Sequence, residues 1–502
     1  MKRILTAVIS AGLLVAAFPN YNFEILAWLA LVPLLLAVEN TSPLKAFFLW
    51  YLAGAIFWLG TVYWLKHVTF PGMIILVLYL ALYFGIFGLI ASRARVLPVT
   101  YYPLFLPSIW VLLEYLRSYL FTGFGWNLLG YSQYLNLPAI QIADFTGACG
   151  VSFLVMMVNV ALAQIIRIWC NPARRKELVT TILIYVVILA AVLSYGYYRL
   201  NNLGRLSQGA TLKLSVIQGN IPQSLKWRPY TNNYIMLQYQ NFSRQVSLDK
   251  PDLMIWPEAA LPVVIEDEPE YFQKTKDLAA EIKIPLLLGA VSRRNNIYYN
   301  SAFLIPAQGS QLFSYDKLHL VPFGEYIPLK RFFNFLETVV PIGEFSPGQE
   351  YAVFTLNDKY GQLLAKFSVL ICFEDLFPQL SRQFARRGAD FLVNITNDGW
   401  FGNSAAPYQH FCASVLRAVE NRLPLVRAAN TGVSGFIAAS GRIISLVSDG
   451  RGNYIFVGGY RSEKISLSKS PMTFYTRFGE WLSGICFLVG LYGIIRILQN
   501  KK

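Results

Sequence analysis

The apolar residues of this chain gather into runs long enough to cross a bilayer. These runs crowd into roughly the first two hundred positions and the last twenty-five. A helix needs about 20 mostly apolar residues to span the hydrocarbon. Runs of that kind lie near 3–18, 23–39, 44–65, 72–92, 101–120, 149–169, 179–198 and 478–497, and they predict a multi-pass helical bundle of about eight spans. The first run is short and follows Lys2 and Arg3, so a signal peptide is its other reading. A second apolar run comes almost at once, which favours a retained helix. Charged residues make up 14% of the chain, whereas soluble domains run near a quarter. Much of the surface therefore faces something other than water.

An even number of spans puts both termini on one side. Lys2, Arg3, Lys45, Arg93, Arg95, Arg167, Arg174, Arg175, Lys176, Arg496, Lys501 and Lys502 fall on that side, against Lys66, Arg117, Arg199 and Arg205 on the other. The positive-inside rule then predicts cytoplasmic termini and an extracytoplasmic domain between the seventh and eighth spans. The same flanking charges account for the net charge of +15, and no basic run with interleaved aromatics suggests nucleic acid. The fifth run carries Glu114 near Arg117. Either the two form an i,i+3 ion pair at a helix end, or Glu114 faces the bundle or a substrate. The aromatic, glycine-rich stretch 121–127 suits a membrane interface.

Between residues 211 and 470 the pattern becomes that of a globular domain. Apolar, partly β-branched runs at 212–218, 253–256, 286–289, 301–305, 367–371, 391–395 and 425–429 read as strands. Helical periodicity at 271–282 and 410–421 separates some of them. The mixture predicts a layered α/β domain. The chain thus divides into a bundle at 1–200, a catalytic domain at 211–470, and a last span with a cytoplasmic tail at 476–502. Of five cysteines only Cys372 and Cys412 fall in the α/β stretch, so there is no disulfide framework.

Three short segments place reactive residues after strands or in turns. Glu258, in Trp-Pro-Glu, follows a buried strand, where a carboxylate can serve as general base. Lys317 begins Lys-Leu-His-Leu-Val-Pro-Phe-Gly-Glu, and its ammonium can steady an oxyanion. Cys372 ends an apolar strand in Cys-Phe-Glu-Asp, where a thiol near a cation and a carboxylate can act as nucleophile. Taken singly, each has a bland reading as a small buried hydrophobe or a solvated charge. His319 offers a Cys–His pair, although its place between Leu318 and Leu320 suits a structural role equally well. His67 and His410 lack metal-ligand spacing, and no phosphate loop or dinucleotide fingerprint is present.

Taken together, in this order, the residues resemble the Glu-Lys-Cys triad of the nitrilase (carbon–nitrogen hydrolase) superfamily. The surrounding words match as well, including Asn394-Ile-Thr-Asn-Asp-Gly-Trp-Phe-Gly402 and the segment from Gln218 to Trp227. With apolar spans on both sides, the chain resembles the membrane-bound lipoprotein-acylating branch. The resemblance implies an αββα sandwich and an acyltransferase working by a ping-pong reaction without a cofactor or metal. Its acyl donor would be a phospholipid, typically phosphatidylethanolamine, cut at sn-1. Its acceptor would be the α-amine of a diacylglyceryl-cysteine on an apolipoprotein. Glu258 would take the thiol proton of Cys372, and Lys317 would stabilise the oxyanion. Glu325, Glu374 and Trp227 would support the site. Phe373 stands where tyrosine also occurs, which removes a hydroxyl contact. The implied setting is a bacterial inner membrane with a periplasmic catalytic domain. A membrane-tethered amidase is the alternative function, and a transporter would need more intramembrane charge than Glu114 supplies. The apolar segment 329–340, bounded by turn residues up to 348, reads either as a packed amphipathic helix or as a lid dipping into the bilayer.

Overall fold

A computed structural model of the chain describes residues 1–170, 176–206, 210–308, 312–326, 345–467 and 471–500. The segment 329–340, expected as a helix or lid, lies outside the described residues. The chain forms two compact units. The first comprises Met1–Asn202, Ser404–Cys412 and Thr473–Lys502, and the second Leu203–Asn403 and Ala413–Met472. Cys412, expected in the α/β domain, is thus grouped with the first unit.

In the first unit, five helices among the described residues are long and apolar enough to cross a membrane: Pro43–His67, Phe70–Val96, Ala148–Trp169, Val179–Asn202 and Trp481–Gln499. Two of them have polar starts that explain their boundaries. Ser42 Oγ accepts the Lys45 N–H at 3.4 Å ahead of Pro43, and Thr69 does the same for Gly72 ahead of Pro71. These first two helices lie close because glycines receive aromatic rings. A Cβ at Gly88 would sit 2.4 Å from the Trp50 ring.

The other three predicted spans take different forms. The first is the 15-residue helix Lys2–Ala16, and the fifth is Tyr102–Tyr119 with Pro107 inside it. The second, near 23–39, is broken into a 3-10 turn, Glu24–Trp28, and a short helix, Val32–Ala37. A break within an apolar bundle frees backbone groups that need partners. Asn159 supplies them, accepting the Leu31 N–H at 2.9 Å and donating to the Ala27 carbonyl at 2.8 Å. Glu114 and Arg117 are both buried and look to other partners than each other. Glu114 accepts from Trp110 Nε1 and the Leu129 N–H, while Arg117 donates to the Phe124 and Trp126 carbonyls and lies over the Trp58 ring. In the aromatic stretch 121–127, Phe121 is exposed but Trp126 is buried against Trp64.

The second unit is built on two sheets. The strands are β1 (Thr211–Gln218), β2 (Leu253–Ile255), β3 (Leu261–Val264), β4 (Leu286–Arg294), β5 (Ile297–Ile305), β6 (Phe313–Asp316), β7 (Phe354–Asn357), β8 (Leu363–Ile371), β9 (Phe391–Thr396), β10 (Leu425–Ala429), β11 (Gly435–Ile437), β12 (Ile443–Leu446) and β13 (Gly459–Ser466). One sheet runs β13-β1-β2-β4-β5-β6 with β3 beside β4, and the other runs β12-β11-β10-β9-β8-β7. Both have parallel centres and antiparallel edges. Central strands are buried on both faces, so they read as unbroken apolar runs. The sheets face each other through β1 against β10 and β5 against β8. Helices Asn232–Ser247 and Pro269–Ile282 cover the first sheet, burying Met236, Tyr239 and Leu278 against Trp256 and Leu288. Helix Pro378–Arg386 covers β8. The result is an α/β sandwich of helix, sheet, sheet and helix, as the resemblance implied.

Candidate active site

The three reactive residues arrive at one place from three loops at strand ends. β8 delivers Cys372, whose φ of +52° lies in the left-handed region that a non-glycine residue avoids. Such strain persists only where neighbours over-determine it. Glu374 is one such neighbour. Its fully buried carboxylate accepts the Ile371 N–H at 2.7 Å, closing the 3-10 turn Cys372–Leu376. It also accepts from the Tyr315 hydroxyl and from the Leu318 and His319 N–H groups, at 2.7 to 3.1 Å. One carboxylate thereby joins the cysteine turn to the lysine loop. Burial pushes its pKa up to about 7, against the pull of these donors.

The Glu258 carboxylate is held as firmly. Glu258 follows β2, and Gly289 on β4 passes directly behind it. A Cβ there would stand 2.7 Å from the Glu258 Cα, so only glycine lets the strand pass this close. Glu258 Oε1 accepts from Asn300 Nδ2 at 2.8 Å, and Oε2 accepts from the Asn397 N–H at 2.9 Å. Lys226 lies beneath the same turn, donating to the Ala259 carbonyl at 3.0 Å. Burial pushes its amine down to about 8, opposed by the charge of Glu258.

Lys317 is 1% exposed, with Nζ 2.9 Å from Glu325 Oε1 and 3.6 Å from Glu258 Oε1. Burial alone would push its pKa down. The carboxylates of Glu325 and Glu258, with Cys372, outweigh burial and hold it above its ordinary value. The same groups act on the thiol. Burial and Glu258 push Cys372 well up, Lys317 pulls it down, and Asp398 adds to the rise. At rest the site therefore favours a thiol, with a carboxylate and an ammonium within electrostatic reach. That set can move a proton off sulfur as a bond forms and can meet a developing oxyanion.

The expected supporting residues divide. Glu325 touches Lys317 and shares Asn300 with Glu258. Glu374 joins the cysteine and lysine segments. Trp227 packs instead against Val291, Leu320 and Phe345, beside the lysine loop. The His319 ring lies on Phe377, with centroids 3.7 Å apart, and also near Phe373. Asn300, Asn397 and Lys226 were not singled out from the sequence. Asn397 falls inside a quoted motif word, and Lys226 precedes Trp227 in another. Asn300 carried no such signal.

Comparison with known proteins follows the same division of the chain. Residues 10–161 match the family described as the apolipoprotein N-acyltransferase N-terminal domain, and residues 213–457 match the carbon-nitrogen hydrolase family. An apolipoprotein N-acyltransferase of Geobacter metallireducens is 39% identical, covering 97% of this chain and 93% of that protein. One from Rhizobium rhizogenes is 30% identical over 99% and 96%. Among solved structures, a Nesterenkonia amidase of the nitrilase superfamily is 18% identical, with a TM-score of 0.40, covering 56% of this chain and 98% of that one.

Proposed function

The chain belongs to the apolipoprotein N-acyltransferase family, and from that premise we propose how its residues carry out acyl transfer. The donor is a phospholipid, phosphatidylethanolamine in the first instance, and the acceptor is the α-amine of a diacylglyceryl-cysteine. Glu258 accepts the Cys372 proton as sulfur adds to the sn-1 ester carbonyl. Lys317 and the Phe373 N–H stabilise the oxyanion. Collapse breaks the C–O bond, and Glu258 returns the proton to the leaving lysophospholipid oxygen. The lipoprotein amine then adds to the thioester, the C–S bond breaks, and its proton passes through Glu258 to sulfur.

The observation that carries this reading is the Lys317 ammonium, buried beside Glu258 and Glu325 and acting on the Cys372 thiol. Such a set has no need of a pre-formed thiolate. We further propose that the flanking helices make the protein multi-pass, with about eight crossings of a bacterial inner membrane. The catalytic domain, 211–470, is then periplasmic and both termini are cytoplasmic. Two lipid substrates explain why such a site belongs to a chain that also carries apolar helices long enough to cross a membrane. The test is incubation of the purified protein with acyl-labelled phospholipid. A hydroxylamine-labile label on Cys372, absent from Cys372→Ser, is expected, followed by transfer to a lipopeptide amine. Turnover of a small amide with no label from phospholipid would favour the tethered amidase and overturn the proposal.

A further inference from the structure

A fully buried arginine stands in the middle of an otherwise apolar strand. Arg427 lies in β10, in Leu-Val-Arg-Ala-Ala, and its side chain is 0% exposed. A charge in a sheet core persists only where surrounding groups compensate it. Its partners are distinctive because of what each is attached to. Nη1 donates to Asp375 Oδ2 at 2.9 Å, and Asp375 belongs to the turn that begins at Cys372. The same nitrogen donates to Asn394 Oδ1 at 2.6 Å, and Asn394 Nδ2 in turn holds the Cys372 carbonyl at 3.1 Å. Nη2 donates to Asp398 Oδ2 at 3.2 Å. Asp398 directly follows Asn397, whose N–H holds Glu258. Ser414 closes the set at 3.1 Å.

We propose that Arg427 is a positioning residue that fixes Cys372 and Glu258 relative to each other. The inference rests on the roles given to those two residues above. Arg427 acts through their neighbours. It anchors the turn carrying the nucleophile, the amide gripping that residue's carbonyl, and the turn whose backbone grips the base. Lysine could not do the same, since only a planar fork offers several fixed donors. The arrangement has an electrostatic side too. Cys372 faces Glu258, Lys317 and Asp398, and Asp398 opposes thiolate formation. The Arg427 guanidinium partly neutralises Asp398, and so eases ionisation of the thiol.

The experiment compares full-length wild type with Arg427→Met, Arg427→Lys, Asp398→Asn and the Arg427→Met/Asp398→Asn double variant. Iodoacetamide alkylation of Cys372 is followed against pH by peptide mass spectrometry, alongside acyl transfer from phospholipid. In Arg427→Met the alkylation midpoint should move to higher pH, and kcat should fall about a hundredfold or more, as expected for a displaced reactive group, with little change in KM. Arg427→Lys should shift the midpoint less yet still lose most of kcat. In the double variant the midpoint should return toward wild type while kcat stays low. A general folding defect would not be repaired by a second substitution in this way. An unchanged midpoint in both arginine variants, or no return in the double variant, overturns the proposal. Should Arg427→Met fail to fold, Arg427→Lys and Asp398→Asn decide alone, and equal kcat with wild type in Arg427→Lys sinks it. If wild type stays active after Cys372 is alkylated, the nucleophile assignment fails, whereas the midpoint shifts remain readable.

Discussion

At the scale of single residues, the site is a problem in placing charge without water. Lys317 is enclosed, and Glu258 and Glu325 fix where its ammonium can sit. Lys317→Arg keeps the charge but replaces a compact head with a wide fork. We expect a loss of about 10²–10³ in the rate of thioester formation, the scale of removing one oxyanion donor. Glu258→Gln loses the base, and its amide N–H₂ would meet another donor in either Asn300 or Asn397. Single-turnover thioester formation in that variant should be nearly abolished, and an unchanged rate would refute the base assignment. A raised thiol predicts that alkylation of Cys372 is slow at neutral pH and climbs as pH rises. Lys317→Met should push the profile further up, because the ammonium is what pulls the thiol down. As a control, Cys412→Ser should be near neutral, since either side chain can donate to the Tyr408 carbonyl that Cys412 Sγ meets at 3.2 Å.

At the scale of elements, what was legible followed from burial. The expected strands coincide with β1, β2, β4, β5, β8, β9 and β10, most of them interior strands whose apolar runs are unbroken. β3, β6, β7, β11, β12 and β13 are short, at an edge or polar on one face, and gave no comparable run. Helix Asn232–Ser247 was missed because Ile235, Met236, Tyr239 and Val246 are outnumbered by polar neighbours. Glu258, Lys317 and Cys372 could be found because each follows a strand in a recognisable word. Asn300 and Arg427 could not, because their roles depend on which loops meet in space. Glu374 shows how such a meeting affects an element. Its folded pKa of about 7 lies above the ordinary 4.5, so the folded state binds this proton more tightly than the unfolded chain does. The stabilisation is therefore present below about pH 4.5 and is lost as pH rises through about 7. Glu374→Gln removes that titration and turns an amide N–H₂ toward N–H donors. The wild-type advantage over Glu374→Gln in thermal unfolding should be larger at pH 5 than at pH 8, by up to about 3 kcal/mol. A pH-independent difference would mean that the carboxylate is ionised throughout.

At the scale of the whole molecule, the membrane proposal turns on surfaces that would be untenable in water. Helices Val179–Asn202 and Trp481–Gln499 bury only 17% and 28% of their most apolar windows. Val179, Leu183, Val187, Phe487 and Leu488 all stand exposed. An apolar surface of this kind is expected to meet lipid. Which way the bundle is inserted is a separate matter, and the proposed orientation rests on the asymmetry of Lys and Arg. On that proposal, the end of helix Ala148–Trp169, with arginines near it, lies on the cytoplasmic side. Cys170 sits there, is exposed, and serves as a native reporter. Lys250, in the turn between helix Asn232–Ser247 and β2, is exposed in the catalytic unit. With Lys250→Cys in spheroplasts of an expressing bacterium, a membrane-impermeant maleimide should label position 250 at once and Cys170 only after permeabilisation. The reverse order would put the catalytic unit in the cytoplasm. It would then face the inner leaflet, with the single crossing between Cys170 and Lys250 kept and the bundle inserted the other way round. Labelling of both from outside would mean that the helix following Cys170 does not cross at all.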